Sequence, residues 1–269
     1  MKDLKDLNLL DRFLFAEAME DSENMRDVLE IILGKEVVLQ HLPQTEKEQR
    51  TLPAYRFAKL DVWAKDTDDA IYDTEVQGKD TKNLPKRSRY YESLIDYKLL
   101  KPGEKDFNKM SDVYIILIAP FDLFGEGKYM YTFRMTCQES SSLLLNDGAT
   151  RIFLNTHGTN PEDVSPELVE LLHYIENTTQ EMADSCASTR IHKMQERICS
   201  IKSSEEVSVK YMQRWEEMEM EKDEARAEGR KSMAKLMDKL LEANRVDDCK
   251  RAVKDPEYCQ TLMDELGIK

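Results

Sequence analysis

Asp61 and Glu75 are the residues of this 269-residue chain whose type and spacing best suit hydrolytic chemistry. Asp61 lies in RFAKLDVWA, where strict alternation puts Ala58, Leu60, Val62 and Ala64 on one side and Phe57, Lys59, Asp61 and Trp63 on the other. After the turn KDTDDA, the segment IYDTEVQ runs back with Asp73, Glu75 and Gln77 on one face and Tyr72, Thr74 and Val76 on the other. Two neighbouring antiparallel strands so patterned bring Asp61, Glu75 and Gln77 to a common point, expected in a cleft open to solvent. Paired carboxylates are the donors a hard cation such as Mg2+ prefers, and the Val76 carbonyl is a third donor nearby. A cation held there can offset charge developing on a phosphodiester and lower the pKa of an attacking water, with Gln77 orienting that water. The competing reading is plain: an Asp followed by E-x-Q on adjacent strands is also what a solvated strand face carries.

Other chemistries have less support. The five cysteines are odd in number and scattered, with no CxxC pair, so they signal neither a disulfide framework nor a zinc knuckle. The four histidines show no ligand spacing and read as structural or surface residues. A net charge of -14 argues against a general polyanion binder. Residues 79–105 are the exception, where Lys79, Lys82, Lys86, Arg87, Arg89, Lys98, Lys101 and Lys105 outnumber the acids and could form a local phosphate-facing groove. No apolar run is long enough to span a bilayer, and the start MKDLKDLNLLDRF lacks a secretory signal, so a cytoplasmic protein with no membrane association is expected.

The elements that must position these residues follow from periodicity. Asp11 is a plausible cap before FLFAEAM, and Ser22 opens ENMRDVLEIIL, which Gly34 stops. A short strand is expected around residues 37–42, followed by a loop over QTEKEQRTLP. Residues 86–100 have helical spacing through Tyr91, Leu94 and Ile95 and end at Pro102-Gly103. DVYIILIAPF reads as a strand covered on both faces, YMYTFRM as an outer strand, and Ser165-Pro166 as the start of a helix carrying Leu168, Leu171, Leu172 and Ile175. From about Ser204 the chain is helical and highly charged, with a narrow apolar line through Val207, Tyr211 and Trp215 and another through Met233, Leu236, Met237, Leu240 and Leu241. The division expected is a catalytic domain over residues 1–200 and a charged helical arm over residues 201–269. A narrow stripe suits pairing with a second copy in a homodimer; folding back onto the chain's own core is the alternative.

The ordered motifs DRFLFAEAM with ENMRDVLEIILGKEV, LDVWA, YDTEVQ, KRSRYYESLIDYKLLKPG, SDVYIILIAPFDLFGEGKYMYTF and the late EARAEGR together resemble the Rpn-type recombination-promoting nucleases, a family also labelled transposases. The likeness runs from about Asp11 to Phe133, weakens through Leu172 and returns faintly in the arm. It implies an α/β fold with a restriction-endonuclease-like mixed sheet flanked by helices, of the PD-(D/E)xK superfamily. It also implies Mg2+-dependent endonuclease activity on DNA, with Mn2+ as an alternative cation, and a link to recombination or mobile elements.

Carried over residue by residue, Asp61 matches the first acidic motif and Glu75 the second. Gln77 stands where the wider superfamily has lysine, so it can orient a water but adds no positive charge for the transition state. Arg87 matches a residue the family places beside the site, and Tyr91 lies one turn later on the same face; together with Arg89 they are the candidate DNA contacts. The alternative is a surface arginine packed on a half-buried tyrosine. Asp11 is either an outer-shell carboxylate or an N-cap, with Glu17 a weaker rival. A catalytically inactive nuclease-fold binding or assembly module competes with the enzyme reading. Strand transfer on an RNase H-like sheet is disfavoured, because this acidic pair sits on one hairpin.

Overall fold

In this computed structural model, which describes residues 2–49 and 58–268, the first two helices are each begun by an aspartate. Asp11 accepts from the Phe13 and Leu14 amides and opens α1 (Arg12–Met19). Asp21 accepts from the Glu23 and Asn24 amides and opens α2 (Ser22–Leu33), one residue ahead of the serine expected to do so. Each side chain satisfies amides that the first helical turn leaves without an intrahelical acceptor. Gly34 ends α2 at φ 64°, a left-handed conformation that costs a residue without Cβ nothing.

Three successive antiparallel strands follow, β1 (Gln44–Gln49), β2 (Ala58–Lys65) and β3 (Ile71–Val76). α3 (Leu84–Asp96) then crosses to β4 (Val113–Ala119), and β5 (Met130–Phe133) precedes β6 (Ala149–Asn155). The strands lie in the order β1-β2-β3-β4-β6-β5, parallel at β3/β4 and β4/β6 and antiparallel elsewhere. α4 (Pro166–Glu176), α5 (Gln180–Ser185) and α6 (Thr189–Ser203) complete this part of the chain.

Both faces of the sheet are covered. Leu60, Ile71, Val113, Ile115, Leu117 and Phe153 pack with Leu84, Leu94 and Ile95 of α3. On the other side α1 lies against β1, β2 and β3, and α1 also meets α2 and α6. Helices on both faces explain why every residue of β3 is buried and why β4 reads as a nearly continuous apolar run. Each fully buried aliphatic side chain such as Ile115 contributes about 1.5–3 kcal/mol relative to exposure.

Two elements differ from the sequence reading. Residues 37–42 form no strand beyond an isolated bridge between Leu39 and Asp66, while QTEKEQ, read as loop, is β1. Among the described residues β1 is the edge of the sheet and pairs with β2 alone, where a polar sequence is tolerated and even protective. The rest of that expected loop, residues 50–53, lies outside the described residues, as do Arg56 and Phe57 of the expected strand. β6 has no counterpart in the sequence reading, because Arg151 interrupts its apolar pattern. In the fold that guanidinium is neutralised by Glu92 of α3.

The chain divides into two units, Lys2–Ser208 and the residues from Val209 onward, so the break falls inside α7 (Glu205–Glu242). In the second unit the end of α7, α8 (Val246–Ala252) and α9 (Pro256–Glu265) enclose Leu236, Leu240, Ala252, Cys259, Leu262 and Ile268. Leu236 and Leu240, expected in a stripe for pairing, are thus buried within their own unit, while Leu241 is exposed. Among the described residues no helix is long and apolar enough to cross a membrane.

Candidate functional site

β2 and β3 pair regularly from Lys65–Ile71 to Val62–Thr74. At the next position side chains replace the backbone ladder. The Asp61 amide donates to Glu75 Oε1 at 2.8 Å, and the Val76 amide donates to Asp61 Oδ2 at 3.3 Å. The alternation breaks at the same point: Leu60, expected opposite Trp63, packs in one cluster with it. The two carboxylates therefore bridge the strands where the regular pairing ends. They are also buried, at 3% and 1% exposure, and do not stand in the open cleft that period-2 geometry suggested. An alternation pattern ranks residues by face but carries no information on what covers that face.

Each carboxylate has a guanidinium beside its remaining oxygen. Arg12, the first residue of α1, directs Nε to Asp61 Oδ1 at 2.7 Å, and its Nη2 bonds the same oxygen. Arg87 Nη2 lies 3.9 Å from Glu75 Oε2 and donates to Gln77 Oε1 at 2.8 Å. The Gln77 amide nitrogen in turn donates to the Lys79 carbonyl at 2.6 Å. Both polar ends of Gln77 are thus engaged, and it holds Arg87. Arg87 also stands over the Tyr91 ring at 5.6 Å, the i,i+4 relationship expected for one helix face.

Asp73 lies on the same face of β3 as Glu75, opposite Trp63, with 0% exposure. Neither of its carboxylate oxygens has a hydrogen-bond partner among the described residues. Burial, followed by the nearby Glu75 and Asp61 charges, pushes its pKa well above the ordinary carboxylate range. Burial and the Asp61 charge likewise push Glu75 up to about 8, and burial raises Asp61 against the opposing pull of Arg12. The Tyr91 hydroxyl is pushed up to about 12 by burial and by Glu75. Three acids packed into one low-dielectric corner cannot all ionise at ordinary cost.

The structure thus gathers Asp61, Glu75, Val76, Gln77, Arg87 and Tyr91. Asp11 is committed to capping α1, and Arg89 is exposed half a turn around α3 from Arg87. Arg12 and Asp73 belong to the site and were not singled out as site residues from the sequence. Asp73 had a signal, since it shares the face of Glu75. Arg12 had none beyond its place after an N-cap, because its partner is 49 residues away.

A six-stranded mixed sheet flanked by helices, with its acidic pair on the second and third strands, is a PD-(D/E)xK type of α/β fold. The chain belongs to the PD-(D/E)XK nuclease family transposase family, whose family model matches residues 11–242. No curated protein and no solved structure matches it significantly.

Proposed function

We propose that the chain is a Mg2+-dependent endonuclease that hydrolyses DNA phosphodiester bonds, with Asp61 and Glu75 as cation ligands and Arg87 as a phosphate contact. The observation that carries this reading is the pair of carboxylate bridges at the end of the β2/β3 ladder. It ties one oxygen of each carboxylate to a backbone amide and leaves Asp61 Oδ1 and Glu75 Oε2 beside guanidinium groups.

The donor set suits the cation. Mg2+ prefers carboxylate oxygens, keeps several of its own waters and needs only one or two acids from a protein. Among the described residues no group of three or more His, Cys, Asp or Glu could hold a metal ion, so the proposed set consists of the two carboxylates. The Val76 carbonyl is the third donor available, and Mn2+ would use the same groups. A bound cation would offset charge on the scissile phosphate and acidify a water.

The remaining steps belong to the chain itself. Ligation needs ionised carboxylates: Asp61 is already paired with the Arg12 guanidinium, whereas Glu75, which burial and the Asp61 charge push up to about 8, must release a proton as the cation enters. Arg87 is fixed by Gln77 and Tyr91, so its guanidinium is presented to a phosphate with little freedom to lose. Gln77 acts through Arg87 in this reading, and not on the water. Lys79, Lys82, Lys86, Arg89, Lys98, Lys101 and Lys105 are exposed along and beside α3 and form the surface proposed to follow the DNA backbone.

The family's description as a transposase supports a role linked to recombination or mobile elements, and a cytoplasmic location is proposed with it. Pairing with a second copy through α7 is proposed as well, on the half-buried line of Val207, Tyr211 and Trp215 with Val209 and Met212 exposed beside it. A catalytically inactive module is the second reading, favoured by the neutral, fully engaged Gln77 amide. Nicking of supercoiled DNA with Mg2+ and with EDTA decides between them. The expected result is Mg2+-dependent nicking that Asp61→Asn abolishes; nicking equal in parent and variant, or none in either, would overturn the endonuclease reading.

A further inference from the structure

Two arginines stand against the acidic pair, and they are held very differently. Arg87 is largely covered, with 24% of its side chain exposed, and is tethered to Gln77 while lying over Tyr91. Arg12 is half in solvent, at 52% side-chain exposure, and among the described residues its guanidinium donates to one atom, Asp61 Oδ1. Its backbone is anchored independently, because Asp11 caps α1 through the Phe13 and Leu14 amides. The Arg12 side chain can therefore swing away without loosening the helix.

Asp61 Oδ2 is already occupied by the Val76 amide, so Oδ1 is the oxygen Asp61 can offer a cation. A divalent cation and a guanidinium cannot both bond that oxygen, since they would stand as like charges within a few ångströms in a buried corner. We propose that Arg12 is a displaceable internal counter-cation of Asp61: metal binding exchanges it off Oδ1, and the released guanidinium becomes a phosphate ligand at the mouth of the site. Arg12 is in this account a positioning residue that sets the metal threshold and couples it to nucleic-acid binding. Coupling of this kind is reciprocal, so a phosphate that captures Arg12 also tightens metal binding. A planar guanidinium suits both partners, because it pairs with carboxylate and with phosphate through the same donors.

The inference rests on Asp61 and Glu75 holding the metal, and its test separates the two ideas. Mn2+ binding to the full chain is titrated calorimetrically without DNA for the parent, Asp61→Asn, Arg12→Ala and Arg12→Gln. The last keeps a polar group at position 12 if the alanine variant folds poorly. Binding by the parent that Asp61→Asn abolishes upholds the site, whatever Arg12 does. Displacement predicts that Arg12→Ala and Arg12→Gln bind Mn2+ about tenfold more tightly, within the usual range of coupling between sites. It also predicts that both variants bind a labelled DNA duplex more weakly than the parent in Ca2+, yet equally in EDTA, where Arg12 is engaged by Asp61. In the parent, the Arg12 Nε–H resonance, identified by its absence from Arg12→Ala, should be visible in EDTA and lost to solvent exchange on adding Mg2+. Mn2+ binding by the Arg12 variants that equals or falls below the parent's, or a resonance that persists in saturating Mg2+, overturns the proposal. If neither parent nor Arg12 variants bind Mn2+, both the proposal and the metal-site reading fall.

Discussion

Asp61 and Glu75 are linked through the backbone: Glu75 Oε1 accepts from the Asp61 amide at 2.8 Å, and Asp61 Oδ2 accepts from the amide of Val76, the residue after Glu75, at 3.3 Å. Each carboxylate thus fills the place of a missing ladder bond. The pair is at once a structural splice between strands and the proposed ligand set, and substitutions there test both roles.

Asp61→Ala and Glu75→Ala should lose cleavage and also stability, because each leaves a buried amide without its acceptor. The cost of such a group is about 1–3 kcal/mol. Asp61→Asn and Glu75→Gln can still offer an oxygen to those amides and should melt closer to the parent while remaining inactive. Denaturant midpoints beside nicking rates check this; alanine variants as stable as the parent would show that the splice contributes nothing.

Gln77 and Arg87 should behave as one unit. Freed from Gln77, Arg87 loses its fixed position, so Gln77→Ala and Arg87→Ala should each slow cleavage, by about tenfold or more, while the double variant is little worse than the slower single one. Contacting residues typically show coupling of about 0.5–3 kcal/mol in such cycles. Strict additivity of the two effects on kcat/KM would return Gln77 to an independent role.

Stability in EDTA should fall as pH rises from about 4 towards 8, opposite to the usual behaviour of paired carboxylates. Burial, with Asp61, pushes Glu75 from 4.5 up to about 8, and Asp73 is raised well above its ordinary 3.8. The folded chain holds these protons more tightly than the unfolded one. The contribution is whole below the unfolded pKa values and is lost as pH climbs through the folded ones. Asp73→Asn removes one of these ionisations, so its melting temperature should decline less between pH 5 and pH 8. A steeper decline than the parent's would mean that Asp73 ionises without penalty.

Asp11→Ala should cost about 1 kcal/mol of stability, the ordinary value for a lost N-cap, and leave Mn2+ affinity within about twofold once folding is saturated. The Phe13 and Leu14 amides that it caps lie on α1, not at the acidic pair. A large loss of metal affinity at full folding would restore Asp11 as an outer-shell carboxylate.

Ending the chain after Ser208, where the first unit closes, should leave metal binding intact and reduce the mass measured by light scattering from dimer to monomer. A monomeric mass for the full chain would sink the pairing role of α7. Lost metal binding in the shortened chain would show that the residues beyond it support the core.

Much of this was legible in local pattern. Asp61 and Glu75, and Gln77 just past the end of β3, were readable because alternation along short strands is a local property, and Arg87 and Tyr91 because four residues make one helical turn. The capping aspartate and the buried strand β4 were readable for the same reason. What tertiary structure decided is whatever depends on the element that covers a face. The edge position of β1 makes a polar segment into a strand, and Glu92 across from Arg151 lets a charged segment be β6. α3 and α1, arriving from other parts of the chain, convert an apparently exposed acidic face into a buried corner where Asp73 has no hydrogen-bond partner among the described residues and Arg12 neutralises Asp61 across 49 residues of sequence. Ionisation and pairing are set by solvent exclusion and by charges brought in through space, and neither is encoded in the spacing of neighbouring residues.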